Sequence, residues 1–412
     1  MSGPGWNLIG KEELDEVIEV LTSRELSRYR FDDQTGRAIP KVYQFEREFE
    51  NFTGAKHCLA VNSGTSALLT ALAALGIGPG DEVIVPGYTF IASIASVAYS
   101  RGIPILAEID ESLTIDPDDV ERKITHRTKA IMAVHMLGKP CNMTRLKEIA
   151  NRHNLYLIED VAQACGASYK GKKLGTIGDV GAFSLNVFKV ITSGEGGMLI
   201  TNNTNTYERA FAFHDHGSQP FRLGLAGEGN LLGLNLRMNE LVGAVALAQV
   251  RKLAKILSTL KDKKYKFKKA LSLIPNLYFE NIHDEEGDAS TTLTLLFESQ
   301  SVAKAVAKSI GSKTLLQSGK HYYGNMVQLL NKNMPTEYGC PFACENSYPS
   351  KVVYTQGMLP QTDDILGRAI TLSVGVSDSY LGTDFGINIF SEDESIAEKA
   401  QEFRYLTASI MT

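Results

Sequence analysis

Three short stretches of the sequence carry residue types that could do chemistry together. The first is NSGTSAL, residues 62–68, where glycine and hydroxyl side chains open an Ala- and Leu-rich segment. Free N–H groups at the start of a helix, with hydroxyls beside them and a glycine that permits close approach, suit a phosphate. The same Ser and Thr residues could instead only cap that helix.

The second stretch ends in two adjacent carboxylates. In LYLIED, residues 155–160, four apolar or aromatic residues run into Glu159 and Asp160. A buried carboxylate is costly unless it meets a positive or protonated partner, and a protonated heterocyclic nitrogen would be such a partner. The alternative is that Asp160 caps a helix.

The third stretch surrounds one lysine. Lys189 lies in FSLNVFKVITSGEGG, residues 183–197, where most neighbours are apolar or small. Desolvation lowers the pKa of a lysine and makes its amine a nucleophile that forms Schiff bases with carbonyls. A lone lysine is more often a solvated surface charge, but its position after the Asp160 strand favours a functional role. A phosphate seat, a carboxylate for a ring nitrogen and a Schiff-base lysine are together what a pyridoxal 5′-phosphate (PLP) site needs.

Two glycine-rich stretches look like nucleotide-binding loops but lack essential parts. GASYKGKK, residues 166–173, ends in Lys where a P-loop needs Ser or Thr for Mg²⁺, so we expect a turn or hairpin. GIGPG, residues 76–80, follows a helix instead of opening one, so we expect a helix end and a turn. A nucleotide-binding enzyme that uses the first of these stretches is nevertheless an alternative, and it predicts ATP affinity without a bound chromophore.

Alternating strands and helices must position these stretches. Between residues 58 and 201, short apolar runs typical of strands buried on both faces alternate with helix-length segments. This pattern predicts an α/β fold with a mostly parallel central sheet and helices on both faces, and it places ligand chemistry at the carboxyl ends of the strands. The expected strands are residues 58–61, 82–85, 103–106, 130–134, 155–158, 181–184 and 198–201.

The rest of the chain predicts further helices and a smaller domain. Apolar residues at helical spacing predict amphipathic helices over 12–26 and 42–52, and a Lys-rich helix over 250–273. A strand over 291–297 and a helix over 302–310 indicate a small α+β domain. The expected division is an N-terminal helical segment that packs with the small domain (1–30), a large PLP-binding α/β domain (31–255) and a small C-terminal α+β domain (256–412).

Composition excludes several classes of protein. Of the 412 residues, 43% are hydrophobic and 22% charged, which is typical of a globular chain and not of a disordered one. A formal net charge of −5 argues against nucleic acid as the main partner. No apolar run reaches the roughly 18 residues of a membrane span and no signal-peptide pattern is present, so we expect a cytoplasmic enzyme. The five cysteines, Cys340 and Cys344 among them, form no zinc-ligand set, so no metal is expected.

The sequence resembles the fold-type I PLP enzymes, and among them the DegT/DnrJ/StrS family of sugar aminotransferases. The resemblance covers almost the whole chain and rests on the three stretches above with GPGDEVIVP at 78–86, TF at 89–90 and GLNLRMNE at 233–240. It implies a PLP-dependent transaminase that acts as a homodimer with shared active sites. L-Glutamate would give its amino group to a keto or aldehydo sugar, through an internal aldimine on Lys189 and a pyridoxamine phosphate intermediate.

The resemblance also implies a role for each matching residue. Lys189 would hold PLP and shuttle the proton between the substrate carbon and C4′ of the cofactor, and Asp160 would pair with the protonated pyridine nitrogen. Phe90 would stack on the ring, and Gln163 lies near the ring oxygen, where many relatives have His. The phosphate would be held by Gly64, Thr65, Ser184 and, from the neighbouring subunit, Asn235.

The resemblance extends less far on the substrate, which would be a deoxysugar, a nucleotide sugar or a 3-deoxy-octulosonate. Val190 replaces a common Asn, and NVF at 186–188 replaces a His-Pro-Thr-like stretch. The run after Lys189, with HDHG at 214–217 and HMLG at 135–138, resembles the branch that aminates C8 of a 3-deoxy-octulosonate sugar. Candidates for lining one pocket for both substrates, each with a surface or packing alternative, are Arg237, His216, Lys320, His321 and Tyr322.

Two alternatives within PLP chemistry stay open. A sugar dehydratase or other lyase would return a deoxygenated sugar that carries no new nitrogen. Relatives that dehydrate deoxysugars have His at the position of Lys189, so this lysine favours transamination. A non-catalytic PLP-binding regulatory protein would have a degenerate site, which the intact set of Asp160, Ser184, Lys189 and Asn235 argues against.

Overall fold

The strands and helices are seen in a computed structural model that describes residues 2–29, 39–219, 231–336, 339–343 and 352–411. Within them the strands are β1 His57–Val61, β2 Glu82–Pro86, β3 Ile103–Ala107, β4 Thr128–Val134, β5 Tyr156–Asp160, β6 Ser168–Tyr169, β7 Lys172–Lys173, β8 Val180–Ser184, β9 Gly197–Thr201, β10 Tyr278–Phe279, β11 Thr292–Leu296 and β12 Ala369–Ser373. The α-helices are α1 Pro4–Asn7, α2 Lys11–Ser23, α3 Lys41–Thr53, α4 Gly64–Ala74, α5 Ile91–Tyr99, α6 Pro117–Lys123, α7 Met143–His153, α8 Thr204–His214, α9 Glu240–Leu271, α10 Gln300–Ser309, α11 Val327–Leu330, α12 Pro360–Arg368 and α13 Asp393–Thr407.

A seven-stranded sheet in the order β1-β9-β8-β5-β4-β2-β3 forms the centre of the larger part of the chain. Only β9 runs antiparallel to its neighbours in this sheet, so the other strands end at one edge. The strands expected from the apolar runs are confirmed to within two residues at each end. The α/β fold with a mostly parallel sheet is therefore confirmed.

The sheet is buried on both faces, which explains why its strands are apolar throughout. Along β4, Ile131 and Ala133 belong to one apolar layer, whereas Met132 and Val134 belong to the layer on the other face. Side chains alternate between the faces of a strand, so a continuous apolar run fills both layers.

Helix α2 differs from the expected amphipathic helix in what it buries. Its apolar stripe is exposed in the chain, at 58% for Leu14, 50% for Ile18 and 56% for Leu21. The helix instead buries Glu13, whose carboxylate accepts hydrogen bonds from Gln249 Nε2 and Lys252 Nζ on α9. The face of α2 that meets the rest of the chain therefore combines this charge pairing with the buried Val20, whereas Leu14, Ile18 and Leu21 stay exposed.

Helix α9 begins ten residues before the expected start at residue 250. Most residues in its first turns are buried, so this part of the helix is apolar on almost every side. At Gly243 the helix packs so closely on Val42 that an added Cβ would lie 2.4 Å from the Val42 side chain. An amphipathic period is therefore missing from this part of the helix. The expected domain boundary at residue 255 lies inside α9, and the N-terminal segment contacts both α9 and, through Ser2, Ser377. The division into domains stays a prediction.

The C-terminal part carries a small antiparallel sheet, β10-β11-β12, flanked by α10, α12 and α13. The expected strand and helix near residues 291–310 are confirmed as β11 and α10. Residues 166–173 form the hairpin of β6 and β7, and residues 76–80 follow the end of α4. Neither stretch is a phosphate-binding loop that opens a helix.

The described ranges contain neither a cluster of metal ligands nor a membrane-spanning helix. No group of three or more His, Cys, Asp or Glu side chains could hold a metal ion there. Across the same ranges, every helix is too short or too polar to traverse a bilayer. Of the cysteine pair near residue 340, Cys344 lies outside the described residues.

Candidate active site

The three stretches singled out in the sequence meet at one cavity of about 430 Å³. The cavity lies at the edge where the parallel strands end, as the βαβ argument predicts. Residues of the C-terminal part, after β12 and in the short 3₁₀ turn Gly319–His321, form its opposite wall. The candidate residues that line the cavity are Gly64, Thr65, Phe90, Asp160, Gln163, Ser184, Lys189, Lys320 and His321.

The start of α4 provides a seat for an anion. Ser63 caps the helix, since its hydroxyl accepts a hydrogen bond from the Ser66 N–H at 3.0 Å. The N–H groups of Gly64 and Thr65 have no acceptor among the described residues, and the Ser184 hydroxyl lies beside them. The capping and phosphate-seat interpretations are therefore compatible, because capping leaves these donors free.

Gly64 is a site where a side chain would close this seat. An added Cβ would lie 2.7 Å from Ser184 Cβ, so the helix start or β8 would have to move. We expect Gly64→Ala to lower stability by about 1–3 kcal/mol through overpacking and to weaken PLP binding about tenfold, as expected when hydrogen bonds to a charged group are lost. The measurements are urea unfolding and a fluorescence titration with PLP.

Gly78→Ala is the matched control, because a Cβ at that position meets nothing within 4 Å. It should leave both measurements unchanged. Wild-type PLP affinity in Gly64→Ala would show that this seat does not hold the phosphate.

The two adjacent carboxylates of β5 lie on opposite faces of the sheet and differ in role. Glu159 is fully buried and anchors the loop before β8. Its oxygens accept backbone hydrogen bonds at 2.6–2.8 Å from Gly175, Ile177 and Gly178. These bonds satisfy its charge, so Glu159 is structural.

Asp160 faces the cavity. Its Oδ2 accepts a hydrogen bond from the Ser93 hydroxyl at 2.7 Å, and its Oδ1 accepts one from the Ala162 N–H at 3.1 Å. Burial raises the pKa of Asp160 above its ordinary value, although these two hydrogen bonds and the charge of Lys189 act in the opposite direction. A carboxylate held in this way favours a cationic partner such as a protonated ring nitrogen.

Lys189 lies on a closed loop between β8 and β9. The loop is held by a hydrogen bond from the Leu185 N–H to the Gly196 carbonyl at 2.9 Å. Burial lowers the pKa of the Lys189 amine, and the largest offsetting charge is Asp160. In the described ranges no carboxylate lies within the 4.0 Å that defines an ion pair with this amine. A lysine with a lowered pKa is poised to react as the neutral amine.

The remaining wall combines aromatic and polar groups. Phe90 begins α5, and its ring centroid lies 5.3 Å from that of His321. The amide oxygen of Gln163 accepts a hydrogen bond from the Leu137 N–H at 2.9 Å, which leaves the amide N–H₂ as a donor. Burial and the charge of Lys189 lower the pKa of His321 to about 3, so this imidazole is neutral.

Four predicted residues do not line the cavity of this chain. Tyr322 is buried, and its hydroxyl donates to Asp363 at 2.9 Å. Arg237, His216 and Asn235 form a cluster of their own next to the end of β1, where Arg237 pairs with Asp215 and lies 3.1 Å from His216 Nδ1. Asn235 is exposed. The roles of this cluster in a neighbouring subunit's site stay predictions.

Two of the polar residues of the cavity wall that sequence reasoning missed are Ser93 and Asp378. Ser93 is one of two serines in a mostly apolar helix that follows Phe90, and that contrast is a signal that could have been used. Asp378 comes from the loop after β12, about 190 residues beyond Lys189, and its neighbours carry no recognisable motif.

The residues present fit PLP. The two free N–H groups and the Ser184 hydroxyl suit its phosphate, Asp160 its ring nitrogen and Phe90 its ring face. Lys189 lies in the same cavity with the amine that an aldehyde requires. The amide N–H₂ of Gln163 suits the ring oxygen.

Comparisons with known proteins agree with this chemistry. A model of the DegT/DnrJ/EryC1/StrS aminotransferase family matches residues 7–377. The GDP-perosamine synthase of Caulobacter vibrioides is 42% identical over 241 residues, 58% of this chain and 62% of that protein. The L-glutamine:2-deoxy-scyllo-inosose aminotransferase of Streptoalloteichus tenebrarius is 40% identical over 258 residues, 61% of this chain and 60% of that protein. The matched stretch is thus less than two thirds of either relative.

The fold similarity extends from end to end. The crystal structure of 3-amino-5-hydroxybenzoic acid synthase matches with a TM-score of 0.79 at 25% identity and covers 99% of both chains. The family model covers far more than half of the sequence. The chain therefore belongs to the DegT/DnrJ/EryC1/StrS aminotransferase family.

Proposed function

We propose that this protein is a PLP-dependent aminotransferase that moves an amino group from an amino acid to the carbonyl carbon of a sugar. The observation that carries the proposal is the meeting of a half-buried lysine, a buried carboxylate and an anion seat in one cavity. Bound PLP would supply an electron sink for the pair left on a carbon that loses its proton.

Each protein group has a task in this reaction. Asp160 would hold the ring nitrogen protonated, and Ser93 fixes the carboxylate that does so. Lys189 Nζ would accept the proton from the donor's α-carbon and return it to the acceptor carbon in the second half of the reaction. Phe90, Phe188 and Val190 line the same cavity as Lys189 and give its wall apolar surface.

The donor and the acceptor are proposed by class. The relatives are named for a GDP-linked amino sugar and for an aminocyclitol precursor, so we propose a cyclic polyhydroxylated ketone or aldehyde as acceptor. L-Glutamate is the donor expected from the sequence, and the name of one relative adds L-glutamine as a candidate. Lys320 is the exposed cation at the cavity wall that could meet a carboxylate of the donor.

We also propose that the enzyme is a homodimer with shared active sites. Two features support this. The apolar side chains of Leu14, Ile18 and Leu21 on α2 are uncovered in the chain. Asn235 is exposed next to the end of β1 and does not line the cavity of its own chain.

The absorption spectrum of the purified protein with PLP tests the proposal. We expect a visible band of lysine-bound cofactor that converts to the band of its amino form on addition of L-glutamate or L-glutamine. Addition of 2-deoxy-scyllo-inosose should restore the first band, and GDP-perosamine should drive the reaction in reverse. Absence of a band after addition of PLP would contradict the proposal, and a sugar product without new nitrogen would identify a lyase.

A further inference from the structure

The cavity holds a second carboxylate that the proposed chemistry does not use. Asp378 lies in the loop after β12, on the wall opposite the parallel sheet, and is only 6% exposed. Its Oδ1 accepts a hydrogen bond from the Tyr380 N–H at 2.9 Å. Its Oδ2 accepts none from any described residue, and no cation of the described ranges lies within 4.0 Å of it.

This carboxylate is held rigidly. The Asp378 N–H donates to Thr383 Oγ1 at 2.7 Å, and its carbonyl accepts from the Leu381 N–H at 3.0 Å. The preceding residue, Ser377, is paired with Ser2 by two backbone hydrogen bonds of 3.0 Å. The free oxygen is therefore preorganised towards the cavity, as in a binding site.

Burying a carboxylate without a cation costs free energy, which is recovered if a ligand brings the donors. The charged groups that share the cavity are Lys189, Lys320, Asp160 and Glu195, and His321 is neutral. Lys189 is the residue proposed to bond to the cofactor, and it forms no ion pair with Asp378. Lys320 is exposed. Lys313, whose charge also acts on Asp378, does not line the cavity. Within the cavity, the partner that remains is the substrate.

We propose that Asp378 is a specificity-determining residue for the acceptor, whose hydroxyl or amino groups donate hydrogen bonds to its free carboxylate oxygen. This inference rests on the proposed function and narrows its substrate class. An acceptor that presents a carboxylate to this wall is disfavoured, because like charges repel in a site of low dielectric. Of the acceptors considered from the sequence, neutral deoxysugar rings and aminocyclitol precursors fit, whereas a 3-deoxy-octulosonate does not. A donor with two carboxylates must bind away from this wall.

Binding to the enzyme in its amino form tests the inference without turnover. Amino compounds cannot react with that form, so calorimetric titration of GDP-perosamine and of L-glutamine measures affinity alone. We expect Asp378→Asn to weaken GDP-perosamine binding about tenfold or more, the loss typical of a hydrogen bond to a charged group, and L-glutamine binding less than about twofold. The amide keeps the acceptor for the Tyr380 N–H, and Asp262→Asn, an exposed carboxylate on α9, is the control of equal charge.

A second readout separates specificity from positioning of Lys189. In single-turnover kinetics, Asp378→Asn should raise the concentration of 2-deoxy-scyllo-inosose needed for half-maximal rate and leave the donor half-reaction unchanged. Affinity for 3-deoxy-octulosonate should rise in the variant, because the repulsion is removed.

Four results would overturn the inference. The first three are equal losses for donor and sugar, no loss for either sugar, and tighter binding of 3-deoxy-octulosonate than of both other sugars by the wild type. The fourth is a wild type that binds none of the three sugars, since the inference requires binding of a sugar of this class. Failure of the proposed function is recognised separately, because the donor then leaves the spectrum of the wild type unchanged.

Discussion

Replacement of Lys189 by alanine is expected to abolish the visible band of the lysine-bound cofactor and to lower turnover by about 10⁴-fold, the upper range for loss of a general base. The physical reason is that Lys189 supplies both the amine that bonds to an aldehyde and the base that moves the proton. PLP should still bind, because the anion seat at Gly64 and Ser184 is untouched. Stopped-flow absorption with L-glutamate and a PLP titration measure the two effects separately.

Lys320→Ala is the control for this change, since Lys320 is the other lysine of the cavity wall. Its variant should keep the band, because the Lys320 amine is exposed and is not the amine proposed to bond to the cofactor. Addition of methylamine should restore part of the proton transfer in Lys189→Ala but not the covalent link. A normal band in Lys189→Ala would show that another amine holds the cofactor.

The central sheet could be predicted from sequence because burial on both faces leaves a direct mark. A strand such as β2 is buried at all five positions, and its residues after Glu82 form a continuous apolar run. The site elements at the ends of such strands, Asp160 as the last residue of β5 and the loop with Lys189 after β8, are placed by the same argument. The sequence pattern was sufficient to predict these elements because burial of the strands on both faces determines that pattern.

Other features could not be predicted because they depend on contacts between distant parts of the chain. The apolar stripe of α2 indicates a buried face, yet Glu13 is buried instead because Gln249 and Lys252 on α9 satisfy its charge. His321 and Tyr322 are adjacent, and only the 3₁₀ turn Gly319–His321 directs the first towards the cavity and the second towards Asp363.

Asp378 shows the same limit for the site itself. It reaches the cavity through the loop after β12, which is fixed by Ser2 at the opposite end of the chain. No spacing along the sequence records that contact. Residues placed by such distant contacts, as proposed for Asp378, determine the substrate. For this reason the sequence predicts the chemistry of the site but not its acceptor.

Replacement of Asp160 by asparagine is expected to lower turnover by about 10²–10³-fold, comparable with loss of one preorganised charge interaction in an active site. Asparagine keeps the shape and can still accept from Ser93 and Ala162, so the fold should persist. What is lost is the negative charge that keeps a ring nitrogen protonated. The absorption band should therefore remain, but conversion by L-glutamate should slow.

Ser93→Ala provides a graded test of the same argument. It leaves the charge in place and removes one of the hydrogen bonds that oppose the rise in the pKa of Asp160. The carboxylate then has a higher pKa, so more of it is protonated at low pH, and activity should fall on the acidic side at a higher pH than in the wild type. The pH dependence of the donor half-reaction measures this shift, and Ser96→Ala is the control, since the Ser96 hydroxyl donates to the Ser93 carbonyl and not to Asp160.

If Asp160→Asn retained full activity while Ser93→Ala lost it, the carboxylate would not be the group that governs the ring nitrogen. The opposite ranking, with the larger loss in Asp160→Asn and an acid-side shift in Ser93→Ala, is what a charge held in place by a hydrogen bond requires.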